Sequence, residues 1–153
     1  MIKGIIVGGE GMFSNILIPV DGSKESLAAV KYARMIVEKL GGSITLLYVI
    51  PTGPFIDLDC SGMTGFTFSE VGKEPGLVKG LDVFEGFNGD VTVLLEYGHP
   101  GMKIVEFSKK QNCSLIVMGR CDMSAVSKVL IGSVSNYVLD HAVCPVLIIC
   151  NNK

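Results

Sequence analysis

Residues 114–150 read SLIVMGRCDMSAVSKVLIGSVSNYVLDHAVCPVLIIC, and the order of elements in this stretch decides the fold. The apolar run Leu115-Ile116-Val117-Met118 breaks at Gly119 and predicts a buried strand. A loop opens with Arg120-Cys121-Asp122-Met123-Ser124, and Val129-Leu130-Ile131 leads into Gly132-Ser133. Beyond that pair Val134, Tyr137, Val138 and His141 fall at helical spacing, and 145–149 reads as a closing strand. The order is strand, loop, helix, strand. A glycine at a strand end lets a ligand approach the backbone, and Gly-Ser at a helix start offers free N–H groups to an anion. Glycines in strand-to-helix loops also meet purely steric needs, so both readings stay open.

Working outward, the same alternation runs back to residue 16. The apolar run 16–20 predicts a strand, and Pro19 near its end suggests that this edge faces a gap and not a neighbour. Asp21-Gly22-Ser23 turns the chain, with Ser23 as an N-cap and Glu25 as a first-turn anion for the next helix. Leu27, Val30, Ala33, Val37 and Leu40 give that helix its apolar face, and Gly41-Gly42 ends it. Residues 44–50 predict a second strand, and strand-helix-strand at this spacing implies a right-handed parallel crossover.

From 52 to 89 the periodicity fades among Gly62, Gly65, Gly72, Gly76, Gly80, Gly86 and Gly89. Residues 52–74 read as an excursion whose Phe55, Phe66 and Phe68 cover a pocket, meet a partner or belong to a plain surface loop. A short helix is expected over 75–85, with Leu77, Val78, Leu81 and Phe84 on one face. Residues 91–97 form a third strand, and Gly98-His99-Pro100 turns into a helix carrying Ile104, Val105 and Phe107 on its apolar side. His99 reads as a cap or an exposed residue, since no nucleophile stands at a partnering distance in sequence. Strands alternating with helices predict an open, doubly wound α/β sheet with helices on both faces.

Composition narrows the function classes. A chain of 153 residues supports one domain with a real core, and 48% hydrophobic against 18% charged residues fits a sheet covered on both sides. The net charge of −2 and the lack of a basic run argue against nucleic acid, and no apolar run reaches a bilayer's span, so no membrane partner is expected. Five cysteines, Cys60, Cys113, Cys121, Cys144 and Cys150, contain no C-x-x-C pair, which favours reduced thiols in a cytoplasm. Cys113, Cys144 and Cys150 are expected to pack beside buried strands. No paired His/Cys spacing supports a structural metal.

A nucleotide needs an apolar slot, an acceptor for ribose hydroxyls and donors for phosphate. Pro19, Val20, Val49 and Met118 end strands and suit the slot, ordinary core packing being the other reading. Asp21 suits the ribose, or serves only as a turn-forming Asp before glycine. Gly132, Ser133 and Val134 offer backbone N–H groups, with the Ser133 and Ser135 hydroxyls in support; Ser133 as a plain N-cap is compatible with that role.

Gly119, Gly132-Ser133 and the Cys144-Pro145-Val146-Leu147 tail, together with Asn15-Ile16-Leu17-Ile18-Pro19-Val20-Asp21-Gly22-Ser23, resemble the universal stress protein family over residues 14–150. Its ATP-binding members carry Gly, two residues, Gly, nine residues, then Gly-Ser or Gly-Thr; here Gly119 and Gly132-Ser133 match, and Asp122 replaces the second glycine. The resemblance implies a five-stranded parallel sheet of order 3-2-1-4-5 over 12–150, with residues 1–11 an extension outside the domain. It implies an adenine nucleotide, ATP or AMP, at the switch point, held through Asp21, Gly119, Gly132 and Ser133. A carboxylate at position 122 about 4 Å from a phosphate oxygen opposes binding by roughly 1–4 kcal/mol at effective dielectric ~80 to ~20, unless Mg2+ bridges them or the ligand carries fewer charges, with Arg120 and Lys128 nearby to offset part of the repulsion. Catalysis is expected to be absent or limited to slow ATP hydrolysis, because no residue identifies a base. The last strand, apolar throughout, is expected to pair with a second copy as a homodimer. The alternative function is a family member without nucleotide that acts through protein association.

Overall fold

Side chains on successive strand residues point to opposite faces, so a strand buried on both sides needs apolar residues throughout. Ile16-Leu17-Ile18, Leu46-Leu47 and Ile116-Val117 have this property, and all seven residues are fully buried. The computed structural model describes residues 13–52, 74–120 and 132–150. These form β1 Asn15–Pro19, α1 Lys24–Leu40, β2 Ser43–Ile50, α2 Pro75–Asp82, β3 Asp90–Tyr97, α3 Pro100–Lys110, β4 Leu115–Gly119, α4 Ser133–His141 and β5 Val146–Ile149. The sheet is parallel, in the order β3-β2-β1-β4-β5, as the resemblance implied.

The alternation sorts the core into two layers. Ile16, Ile18, Leu46 and Val117 pack with Val30, Ala33 and Val37 of α1 and Leu77 of α2. Leu17, Leu47, Ile116 and Met118 face the other way, against Ile104 and Val105 of α3 and Val138 of α4. Each fully buried aliphatic side chain stabilises the fold by about 1.5–3 kcal/mol relative to an exposed one.

Three sequence expectations need correction. Leu40 is 63% exposed: it is the last residue of α1 before the Gly41 cap, and the buried face of the helix ends at Val37. Val78 is 38% exposed while Leu77 is fully buried, and α2 ends at Asp82, with Phe84 reaching the core from the following turn. Cys150 is exposed just beyond β5, whereas Cys113 is buried and Cys144 half-buried. Burial, and then the neighbouring Cys144, push the Cys113 thiol up to about 11. Cys60, Cys121, the extension 1–11 and most of the 52–74 excursion lie outside the described residues.

The strand pairings differ along their length. β1 follows β2 from Asn15 to Pro19, but its ladder with β4 holds only Ile16–Leu115 and Leu17–Ile116. On the β4 side Asn15 N–H bonds the Ser114 hydroxyl at 3.0 Å, while Val20 N–H turns the other way, to the Leu47 carbonyl at 2.9 Å. Parallel strands alternate in this way, so the nitrogen of Pro19 faces β4 and has no hydrogen to give. The gap anticipated from Pro19 is therefore present, between the two strands where the sheet order reverses.

Candidate functional site

A cavity of about 270 Å³ occupies that gap, at the carboxyl ends of the strands. Open α/β sheets bind ligands at this place because the βα loops diverge to opposite faces at the switch point. Its walls are mostly apolar. Pro19, Val20, Leu47, Val49, Pro51 and Met118 come from the strand ends, and Pro100, Ile104 and Val134 from the helices. The polar lining consists of Asp21, Ser23, Ser26, Tyr48 and Ser135.

The turn after β1 is closed on itself. Asp21 Oδ1 accepts from Ser23 N–H at 2.9 Å, Ser23 Oγ caps α1 by accepting from Ser26 N–H at 3.1 Å, and Ser26 Oγ donates to the Ser23 carbonyl at 3.0 Å. Burial raises the Asp21 carboxyl, but hydrogen bonds from Ser23 and Ser26 outweigh it and hold the group below its ordinary 3.8. The turn-forming reading of Asp21 is therefore satisfied, and its carboxylate still lines the cavity. Gly22 sits at φ +81, and a Cβ there would meet the Gly76 Cα at 3.0 Å, so α2 starts hard against this turn. Tyr48 ionises less readily than usual because of burial, then the charge and hydrogen bond of Glu74, then the charge of Asp21.

Gly119 shows its steric use directly. A Cβ at this position would collide with the backbone of Glu25 and stand 2.6 Å from the Ser26 nitrogen, so glycine lets α1 start against the end of β4. The other side of the cavity is less complete. Gly132 is the N-cap of α4 and supplies no side-chain acceptor, so among the described residues the first N–H groups of that helix have no capping side chain. Ser135, in the first turn, is 1% exposed, and its hydroxyl has no hydrogen-bond partner among the described residues. α3 enters from above with His99 as its cap, Nδ1 accepting from Met102 N–H at 3.4 Å, which agrees with the capping reading of that histidine.

Of the residues singled out in the sequence, Pro19, Val20, Asp21, Val49, Met118, Gly119, Val134 and Ser135 line this one cavity. Gly132 and Ser133 begin the helix that carries Val134 and Ser135. Asp122 lies outside the described residues. Sequence reading missed Ser23, Ser26, Leu47, Tyr48, Pro51, Pro100 and Ile104 as lining. Pro100 carried a usable signal: in a parallel sheet every helix that follows a strand starts at the carboxyl end, so a proline opening α3 belongs at the same rim. Among the described residues no cluster of three His, Cys, Asp or Glu side chains is placed to hold a metal, and no helix is long and apolar enough to cross a membrane.

Comparison with known proteins agrees with this architecture. The family model described as the universal stress protein family matches residues 12–149. A universal stress protein of Methanocaldococcus jannaschii is 34% identical over 156 aligned residues, which cover 100% of this chain and 91% of that protein. Among solved structures, a universal stress protein in complex with cAMP superposes with a TM-score of 0.66 at 21% identity, covering 89% of this chain and 95% of the other. The universal stress protein of Archaeoglobus fulgidus in complex with dAMP gives 0.64 at 20% identity, covering 90% and 98%.

Proposed function

We propose that this chain, which belongs to the universal stress protein family, binds an adenine nucleotide, ATP or AMP, at the split between β1 and β4 and serves a regulatory, stress-response role in the cytoplasm. The observation that carries this reading is the convergence of three helix N-termini, those of α1, α3 and α4, on one mostly apolar cavity. Each N-terminus carries a partial positive charge of roughly half a unit, so the cavity favours an anion even though no Lys or Arg is among its described lining residues. An apolar slot beside an anion-attracting rim suits a base joined to a phosphate better than either alone. The relatives solved with cAMP and dAMP support the choice of adenine.

In this reading the base lies among Pro19, Val20, Val49 and Met118. The Asp21 carboxylate accepts from ribose hydroxyls, and the backbone of Gly132, Ser133 and Val134 receives phosphate. Asp122 opposes added phosphate charge unless Mg2+ intervenes. The protein acts as a binding module, with at most slow ATP hydrolysis, because no motif in its sequence identifies a base for an attacking water.

Protein purified without added nucleotide and then denatured is expected to release an adenine nucleotide detectable by chromatography, or to bind one on titration. Asp122→Gly is expected to tighten ATP binding by removing a like charge. If neither protein binds an adenine nucleotide at millimolar concentration, the reading fails.

A second feature favours association. β5 is an edge strand, and Leu139 of α4, Val143 of the turn that follows and Leu147 of β5 itself are exposed at 41%, 68% and 37%. Pairing of β5 with its counterpart in a second copy would satisfy the open ladder and cover these side chains. A homodimer is therefore part of the proposal, and a monomeric mass in sedimentation at micromolar concentration would remove it.

A further inference from the structure

The amino end of the sheet, opposite the nucleotide cavity, carries a groove of its own. Between the last turn of α1 and the turn entering β3 lies a hollow of about 360 Å³, lined by Val37, Gly41, Gly42, Phe87 and Gly89 among others. It adjoins a second hollow of about 600 Å³ at Phe87 and Gly89, where Leu81, Asp82, Glu85 and Val91 continue the lining. The wall between the two is held in place. Arg34 of α1 donates to the Val83 and Glu85 carbonyls, and its guanidinium carbon lies 5.8 Å from the centre of the Phe87 ring. Leu81, Phe87 and Val91 stay half-buried there, packed on the core from one side and open on the other.

One length of chain arrives at the mouth of this groove. Phe13 is the first described residue, and a Cβ on Gly42 would stand 2.5 Å from its carbonyl oxygen. The Phe13 side chain packs on the same face of the sheet as Leu81, Phe87 and Val91. On the β4 side the start of β1 is already engaged: the Ser114 N–H and hydroxyl both bond the Asn15 carbonyl, and the Asn15 amide donates to the Gln111 carbonyl. Ahead of Phe13 the sequence carries Lys3, the apolar triplet Ile5-Ile6-Val7 and a Gly8-Gly9-Glu10-Gly11 link. Asn15, Ser43 and Asp90 are register partners, so the start of β3 lies two strand spacings, about 10 Å, from β1. Residues 8–12 span up to ~17 Å when extended, which brings the triplet to Phe87 with slack. The charges match as well, because Lys3 beyond the triplet meets a rim that carries Asp82 and Glu85.

We propose that this groove is the docking site of the chain's own amino-terminal segment, with Ile5-Ile6-Val7 against Leu81, Phe87 and Val91 and Lys3 beside Asp82 and Glu85. The docked segment covers the start of β3, the edge strand that pairing through β5 leaves open. Nothing in it depends on the nucleotide cavity, which lies at the other end of the strands.

NMR on the isotopically labelled full chain tests it, through nuclear Overhauser contacts between side chains. The methyl groups of Ile5, Ile6 and Val7 are expected to show contacts to the Phe87 ring and upfield shifts from its ring current. Ile5→Asp with Ile6→Asp should abolish the Val7 contact and return its signal to the position of a free peptide, while the signals of β1, β2 and β4 stay in place. Lys3→Glu, which sets a like charge against Asp82 and Glu85, should move the triplet's signals part of the way to the same positions. The proposal is overturned if the three residues give free-peptide signals in wild type, or if the double substitution leaves the Val7 contact intact. Contacts that appear only between differently labelled chains in a mixed sample would overturn it in favour of a second copy. Contacts to Phe87 from residues 53–73 in place of 5–7 would overturn it in favour of that segment.

Discussion

The α1 end and the α4 end meet the same cavity in different states of completion. At α1 the turn closes on itself: Ser23 caps the helix, Asp21 accepts from Ser23, Ser26 returns a bond to Ser23, and Gly119 lets the helix seat against β4. At α4 the cap is a glycine and the buried Ser135 hydroxyl has no partner among the described residues. A self-satisfied turn is rigid and contributes to stability whether or not a ligand is present. An unsatisfied one contributes through what it binds. One half of the site thus positions and the other half reads.

The comparison breaks most sharply at Gly119. A Cβ there would meet backbone and not a flexible side chain, so Gly119→Ala is expected to lower unfolding stability by about 3 kcal/mol. Urea unfolding with an unchanged m-value would show it, and a loss under about 0.5 kcal/mol would mean that α1 is not tightly seated.

The caps give a smaller, paired effect. Ser23→Ala should destabilise by about 1 kcal/mol, because it orphans the Ser26 N–H at a completed end. Gly132→Ser should instead stabilise by a few tenths of a kcal/mol while weakening nucleotide binding, since it supplies internally the acceptor that a ligand would bring. If the two substitutions act in the same direction on stability, the two ends are not opposites.

The smallest effect is the pH dependence of Asp21. Its folded carboxyl lies below the ordinary 3.8, so the fold prefers the charged form. Its contribution is full above that unfolded value and disappears as pH falls through the lower folded one. Wild type should be more stable than Asp21→Asn near neutrality, and the difference should shrink well below pH 3.8. A gap that stays constant across that range would mean that the carboxylate is not held by the Ser23 turn.

Much of this was legible in the residues. Alternating apolar runs and capped helical faces located all nine elements, because each signal is local. Pro19 announced the gap, and Asp21 and Gly119 announced its rim. The errors have one cause: periodicity says which way a side chain points but not where the neighbouring layer ends, so Leu40, Val78 and Cys150 were placed inside and emerged exposed. The missed lining residues are tertiary facts of the same kind. Ser26 reads as an ordinary first-turn polar residue, and Tyr48 as an ordinary strand aromatic, until the sheet brings β2 and α1 to the same opening.

Pro19 also bears on how the chain is made. β1 and β2 are synthesised close together, but β1's other neighbour lies far along the chain, as the 99-residue separation between Asn15 and its partner Ser114 shows. At about 5–20 residues per second, the strand destined for the middle of the sheet remains an open edge for on the order of 5–20 s. Such an edge invites pairing with the wrong chain. A proline on the waiting side shortens the row of donors available to an intruder. The residue that parts the strands in the finished protein thus also guards the nascent one against misassembly.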